Sequence, residues 1–136
     1  MCGRFGLTRP ERLDLQRFGI GELPPLIPRF NIAPGAEITL ETNPETVTTA
    51  KMAAFLEAGV TRVSLGVQSL HDDELARLGR QHGAAVARRA VADCRAAGVT
   101  NLSLDLMLWL PQQRPADWLA TVDGLVELAP EHASLY

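Results

Sequence analysis

From residue 37 onward, short runs of β-branched and apolar residues alternate with longer stretches whose apolar positions recur at helical spacing. Residues 38–41 read as a strand, stopped by Asn43 and Pro44. Thr46 is then placed to cap a helix whose apolar side includes Val47, Phe55 and Leu56 and which Gly59 ends. Residues 60–67 form the next expected strand, followed by Ser69 and a charged and apolar run over 71–78. A longer helix over 84–97 sets Ala87, Ala90, Val91 and Cys94 at i, i+3, i+4 and i+7, with Gly98 as its stop. Cys94 is therefore expected in a core. Residues 102–110 are apolar except for Ser103 and Asp105, which suits a parallel strand buried on both faces. Pro111 closes that strand. Pro115 opens a helix with Trp118, Val122, Leu125 and Val126 on one face, and 133–136 begins a last strand. This alternation predicts an α/β fold of right-handed βαβ units on a parallel sheet, either open or part of a barrel.

Residues 1–36 do not follow the pattern. They hold five of the nine prolines, and Pro24, Pro25, Pro28 and Pro34 stand too close together for a helix to pass. They also carry five Arg against Glu11, Asp14 and Glu22, whereas residues 37–136 carry eight basic against thirteen acidic groups. A composition boundary falls near residue 36, dividing a 1–36 arm from a 37–136 unit. The chain as a whole, 136 residues with 46% apolar and 21% charged, has the profile of one soluble globular domain. No apolar run approaches the ~20 residues of a membrane span and no signal-peptide pattern opens the chain, so a cytoplasmic protein is expected.

In a parallel α/β sheet, ligands meet the C-terminal ends of the strands and the loops that follow. Glu41 falls at the end of the first of these strands, Gln68 at the end of the second, Arg80 after the next short helix, and Asp105 within the third. Two carboxylates, an amide and a guanidinium form a coherent set for an amino acid joined to a nucleoside: carboxylates accept from amines and ribose hydroxyls, and Arg grips a carboxylate with two parallel bonds. Taken singly, Glu41, Gln68 and Arg80 read more readily as solvent-facing residues, since most polar side chains are exposed. Asp105 differs, because an unpaired carboxylate between Leu104 and Leu106 would be costly. His71, His82 and His132 are scattered and read as surface or strand-end residues.

The segments EITLETNPETV, RVSLGVQSLHDDELARLGRQH, NLSLDLMLWLP and PEHASLY resemble, in order and spacing, the radical S-adenosylmethionine enzymes of the oxygen-independent coproporphyrinogen III oxidase family, and within it the haem-chaperone branch. The resemblance implies a partial (β/α) barrel that binds S-adenosylmethionine against a [4Fe-4S] cluster, with haem or porphyrin as a further partner. It also implies that Glu41, Gln68, Arg80 and Asp105 contact S-adenosylmethionine. Two departures stand out: Leu108, Trp109 and Leu110 replace an aromatic-glycine pair of many relatives, and Gln112, Gln113 and Arg114 replace a glycine-containing turn.

The family's C-x-x-x-C-x-x-C loop is missing: Cys2 and Cys94 are too few and too far apart to hold a cluster. Radical generation by this chain alone is therefore not expected. In its place, MCGRFGLTRPERL through RFNIAPGAEI resembles the start of the SOS-response-associated peptidase family, which caps abasic sites in DNA. Once Met1 is removed, Cys2 offers an adjacent amine and thiol that condense with an aldehyde such as an opened abasic sugar. The alternative function is thus crosslinking to abasic-site DNA through Cys2. The two resemblances meet at Ala36, Glu37 and Ile38, as in a chimera. Open edges of the incomplete sheet would favour self-association.

Overall fold

The computed structural model describes residues 32–136. Most of the 1–36 arm, Cys2 included, lies outside them. The chain runs through β1 (Thr39–Thr42), a 3-10 turn (Pro44–Thr46), α1 (Thr49–Glu57), β2 (Arg62–Gln68), α2 (Asp72–Arg77), α3 (Ala84–Ala96), β3 (Leu102–Leu106), α4 (Pro115–Leu128) and β4 (His132–Leu135). The sheet order is sequential, β1-β2-β3-β4, and every strand pair is parallel. When each strand is added on the same side of the last, right-handed crossovers deliver their helices to one face. The result is a single-wound sheet, the wall of a (β/α) barrel rather than an open sheet covered on both sides.

Strand alternation divides the residues between the two faces. Val63, Leu65 and Val67 of β2 and Leu102, Leu104 and Leu106 of β3 pack against Met52 of α1 and Ala87, Ala90, Val91 and Cys94 of α3. Removing one such Leu side chain from water is worth about 2 kcal/mol. Glu41, Ser64, Ser103 and Asp105 take the alternate positions and face the other way, toward what is the lumen in a closed barrel. Among the described residues, no helix is long and apolar enough to cross a membrane.

Several elements differ from the sequence expectation. Thr48, not Thr46, caps α1, accepting from the Lys51 amide at 3.3 Å. Pro44 bends the chain into the short turn first, and Thr46 spends its hydroxyl on Asn43 O and Thr42 Oγ1. Val47 precedes the helix, buried. β3 ends at Leu106 rather than continuing to 110: Met107 and Leu108 still donate to the Gln68 and Tyr136 carbonyls, and the backbone turns away at Trp109, whose φ is +64°. β3 is also not apolar on both sides, since Ser103 and Asp105 share the lumen face. On α4, Val126 is exposed, and the buried side centres on Thr121 and Gly124 with Trp118, Leu125 and Leu128 packed against the core.

Candidate functional site

β2 ends irregularly. Leu65 pairs with Leu104 but Gln68 pairs with Leu106, so one extra residue is accommodated by a bulge. Gln68 takes φ +69°, and Ser69 N donates to Val67 O at 2.9 Å, closing a γ-turn around Gln68. Met107 N donates to Gln68 O at 2.8 Å and ties the bulge to β3. A non-glycine residue in this conformation persists only where its surroundings hold it there.

The bulge brings the Gln68 side chain over Gly66, which has no side chain to obstruct it. A Cβ at Gly66 would lie 3.0 Å from Gln68 Nε2 and 3.1 Å from Asn43 Oδ1. Asn43 comes from the turn after β1, and its Oδ1 accepts from the Arg80 guanidinium at 3.4 Å. Gln68, Asn43 and Arg80 therefore gather above Gly66. One step down the same face, Ser64 Oγ lies 3.1 and 3.2 Å from the two Asp105 carboxylate oxygens, to which it donates. That contact answers the cost of placing a carboxylate in an otherwise apolar strand. Glu41 is in register with Ser64 on the neighbouring strand and is exposed.

The four residues expected from sequence thus share one face near one rim. No hydrogen bond joins any two of them directly; Asn43 bonds Arg80, Ser64 bonds Asp105, and Gly66 leaves room for Gln68 beside Asn43, and sequence reasoning passed over these three. The signal for two of them lay in the period-2 spacing, since Ser64 with Gly66 and Ser103 with Asp105 mark the polar face of two adjacent strands.

His82 corrects the expectation of a surface residue. It is 3% exposed, with Nδ1 2.9 Å from Glu45 Oε2 and Nε2 3.3 Å from Val67 O. His71 is half-buried with Nε2 2.9 Å from Asp117 O, and His132 is exposed.

Two cavities lie beyond the four. One of about 250 Å³ has Glu74, Arg77 and Asp117 in its wall; another of about 350 Å³ is lined mainly by Leu108, Trp109, Leu110 and Trp118. At the first, a bidentate bond from Arg114 holds the Asp117 carboxyl below the ordinary range and the guanidinium above it.

The fit to S-adenosylmethionine rests on spare bonding capacity. Asp105 receives one hydroxyl, Arg80 has one long contact, and the buried Ser103 hydroxyl on this face has no partner. A zwitterionic amino acid with ribose hydroxyls supplies the complementary donors and acceptors. A [4Fe-4S] cluster does not fit the described residues. Cys94 is fully buried in the α3 core, where desolvation pushes its thiol up to about 11, and no group of three His, Cys, Asp or Glu among the described residues is placed to hold a metal ion.

The family model of the Radical SAM superfamily matches residues 9–125. The chain is 44% identical over 101 residues to the radical S-adenosyl methionine domain-containing protein 1, mitochondrial, of Bos taurus, covering 74% of this chain and 23% of that protein. It is 44% identical over 100 residues to the haem chaperone HemW of Haemophilus influenzae, covering 74% and 26%. Among solved structures, coproporphyrinogen III oxidase (HemN) from Escherichia coli, described as a radical SAM enzyme, aligns with a TM-score of 0.67 and 26% identity over 74% of this chain and 23% of that one. The chain thus spans about a quarter of the length of these relatives. With a single-wound parallel sheet and a match over most of its length, the chain belongs to the radical SAM superfamily, in the company of haem chaperones and oxygen-independent coproporphyrinogen III oxidases.

Proposed function

We propose that this chain is the S-adenosylmethionine-holding wall of a radical SAM barrel from the haem-chaperone and coproporphyrinogen oxidase branch, unable to run the reaction by itself. The observation that carries the reading is the shared lumen face of Glu41, Gln68, Arg80 and Asp105, with Asn43 bonded to Arg80 and Ser64 to Asp105. Bound S-adenosylmethionine supplies an activated sulfonium centre. The residues of this chain bind and orient it: Arg80 suits the methionine carboxylate, Glu41 and Asp105 accept from the amine or the ribose hydroxyls, and Gln68 both donates and accepts. Cluster ligands are not part of this wall, so reductive cleavage depends on residues other than those described. The names of the relatives point to a porphyrin or haem as a further small-molecule partner.

Titration calorimetry of the 136-residue chain with S-adenosylmethionine tests the reading. Binding that weakens about tenfold or more in Arg80→Ala and in Asp105→Ala supports it, since each removes charge-assisted bonds worth ~1.5–3 kcal/mol. Absence of binding in the unaltered chain, or binding in both variants as tight as in the unaltered chain, defeats it.

A further inference from the structure

We infer that His82 is a positioning residue that fixes two limbs of the candidate site at once. This rests on the proposed function above. Its imidazole is buried between two elements that it joins across the chain: Nδ1 meets the Glu45 carboxylate of the turn after β1, and Nε2 meets the Val67 carbonyl of the β2 bulge. Both partners are oxygen acceptors of the kind a ring N–H donates to.

Each end of this clasp adjoins a residue of the site. Val67 immediately precedes Gln68, whose φ of +69° is the strained point of β2, and the Val67 carbonyl that receives His82 also receives Ser69 N. Anchoring that carbonyl from a second direction holds the γ-turn, and with it the direction of the Gln68 side chain. Glu45 lies two residues beyond Asn43, whose Oδ1 takes the Arg80 guanidinium, and Arg80 itself lies two residues before His82. One imidazole therefore sets the distance between the turn bearing Asn43 and the bulge bearing Gln68, the two amides that meet above Gly66. His82 touches no ligand-facing atom and acts through the groups it orients.

The test uses S-adenosylmethionine calorimetry with ligand-free NMR of the Gln68 backbone amide and side-chain NH₂. His82→Ala, and Glu45→Ala as the variant that leaves the buried ring in place, each weaken binding about tenfold, as removal of supporting groups behind a ligand does. Both also shift the Gln68 resonances. Glu45→Gln keeps an acceptor for Nδ1 and stays near the unaltered chain. Val91→Ala, in the α3 core, lowers Tm but leaves affinity and Gln68 resonances in place, separating positioning from stability. Unchanged affinity and unchanged Gln68 resonances in both alanine variants overturn the inference. If the unaltered chain binds no S-adenosylmethionine, the proposed function falls, and the Gln68 resonances alone decide whether the clasp exists.

Discussion

Trp109 and Gln112 show how a residue can disagree with its backbone. Both adopt positive φ, +64° and +63°, at the two places where the sequence departs from the glycine-containing pattern of the family it resembles. An L side chain in that region costs ~1–2 kcal/mol, part of which glycine recovers, less its own entropy on folding. Trp109 is 90% exposed and its amide is held by Gln113 Oε1 at 2.8 Å, a bond glycine keeps. Trp109→Gly is therefore expected to stabilise the fold by about 0.5 kcal/mol and raise Tm by a few degrees in a thermal melt. A lower Tm would mean that the indole is retained by the apolar cavity beside Trp118. Cys94 was legible from its helical spacing alone. Its thiol, raised from 9.0 to about 11 by burial, keeps its proton in the fold while the unfolded chain ionises sooner. Stability therefore falls as pH rises from 9 toward 11, by roughly 2 kcal/mol at most, a loss that Cys94→Ala abolishes in urea titrations across that range. His82 was not legible, since its partners lie 37 and 15 residues away and no local period marks it.

Elements were readable in kind and order, while their ends were set by contacts that a local pattern does not contain. Thr46 has the right chemistry for a cap, yet Pro44 commits it to a turn and passes the role to Thr48. At α3 the cap comes from another helix altogether: Gly83 has no side chain to offer, and Asp72 Oδ1, from the first residue of α2, accepts from Ala84 N at 2.7 Å. Asp72→Ala should cost about 1 kcal/mol, read as a lower urea midpoint with unchanged slope, and Asp72→Asn should recover most of it because the amide oxygen still accepts. The bulge in β2 was hidden for a similar reason, since an extra residue is visible only against the partner strand. It assigns Gly66 a role that no turn requires: leaving room for Gln68 and Asn43. Gly66→Ala pushes those two amides apart by a few tenths of an ångström, so it should weaken S-adenosylmethionine binding in calorimetry more than it changes Tm.

For the molecule as a whole, the alternation of strands and helices already implied parallel pairing, but not whether the sheet was open or part of a barrel wall. Sequential strand order decides that, and one ion pair at the opposite rim from the candidate site secures it. Arg95, near the end of α3, donates to both Glu131 carboxylate oxygens at 3.0 Å, to Ala129 O at 2.8 Å and to Val99 O at 3.0 Å. Glu131 in turn accepts from Leu102 N at 2.7 Å, and its own amide donates to Leu102 O. The pair thus joins the ends of α3 and α4 to the starts of β3 and β4. The Arg95 bond, and then the Leu102 amide, hold the Glu131 carboxyl below its ordinary value. Because the folded chain releases this proton more readily than the unfolded one, the contribution is fully present above the ordinary carboxylate range and is lost as pH falls through the depressed folded value. Glu131→Gln should therefore cost ~0.5–1 kcal/mol near neutral pH, a figure that allows for screening of a partly exposed pair. It should also flatten the decline in stability below pH ~4.5, the ordinary range of a Glu carboxyl. Urea midpoints of the unaltered chain and the variant, measured from pH 7 down to 3, should converge as pH drops. A gap that stays constant across that range would show that Glu131 serves only through its geometry and not through its charge.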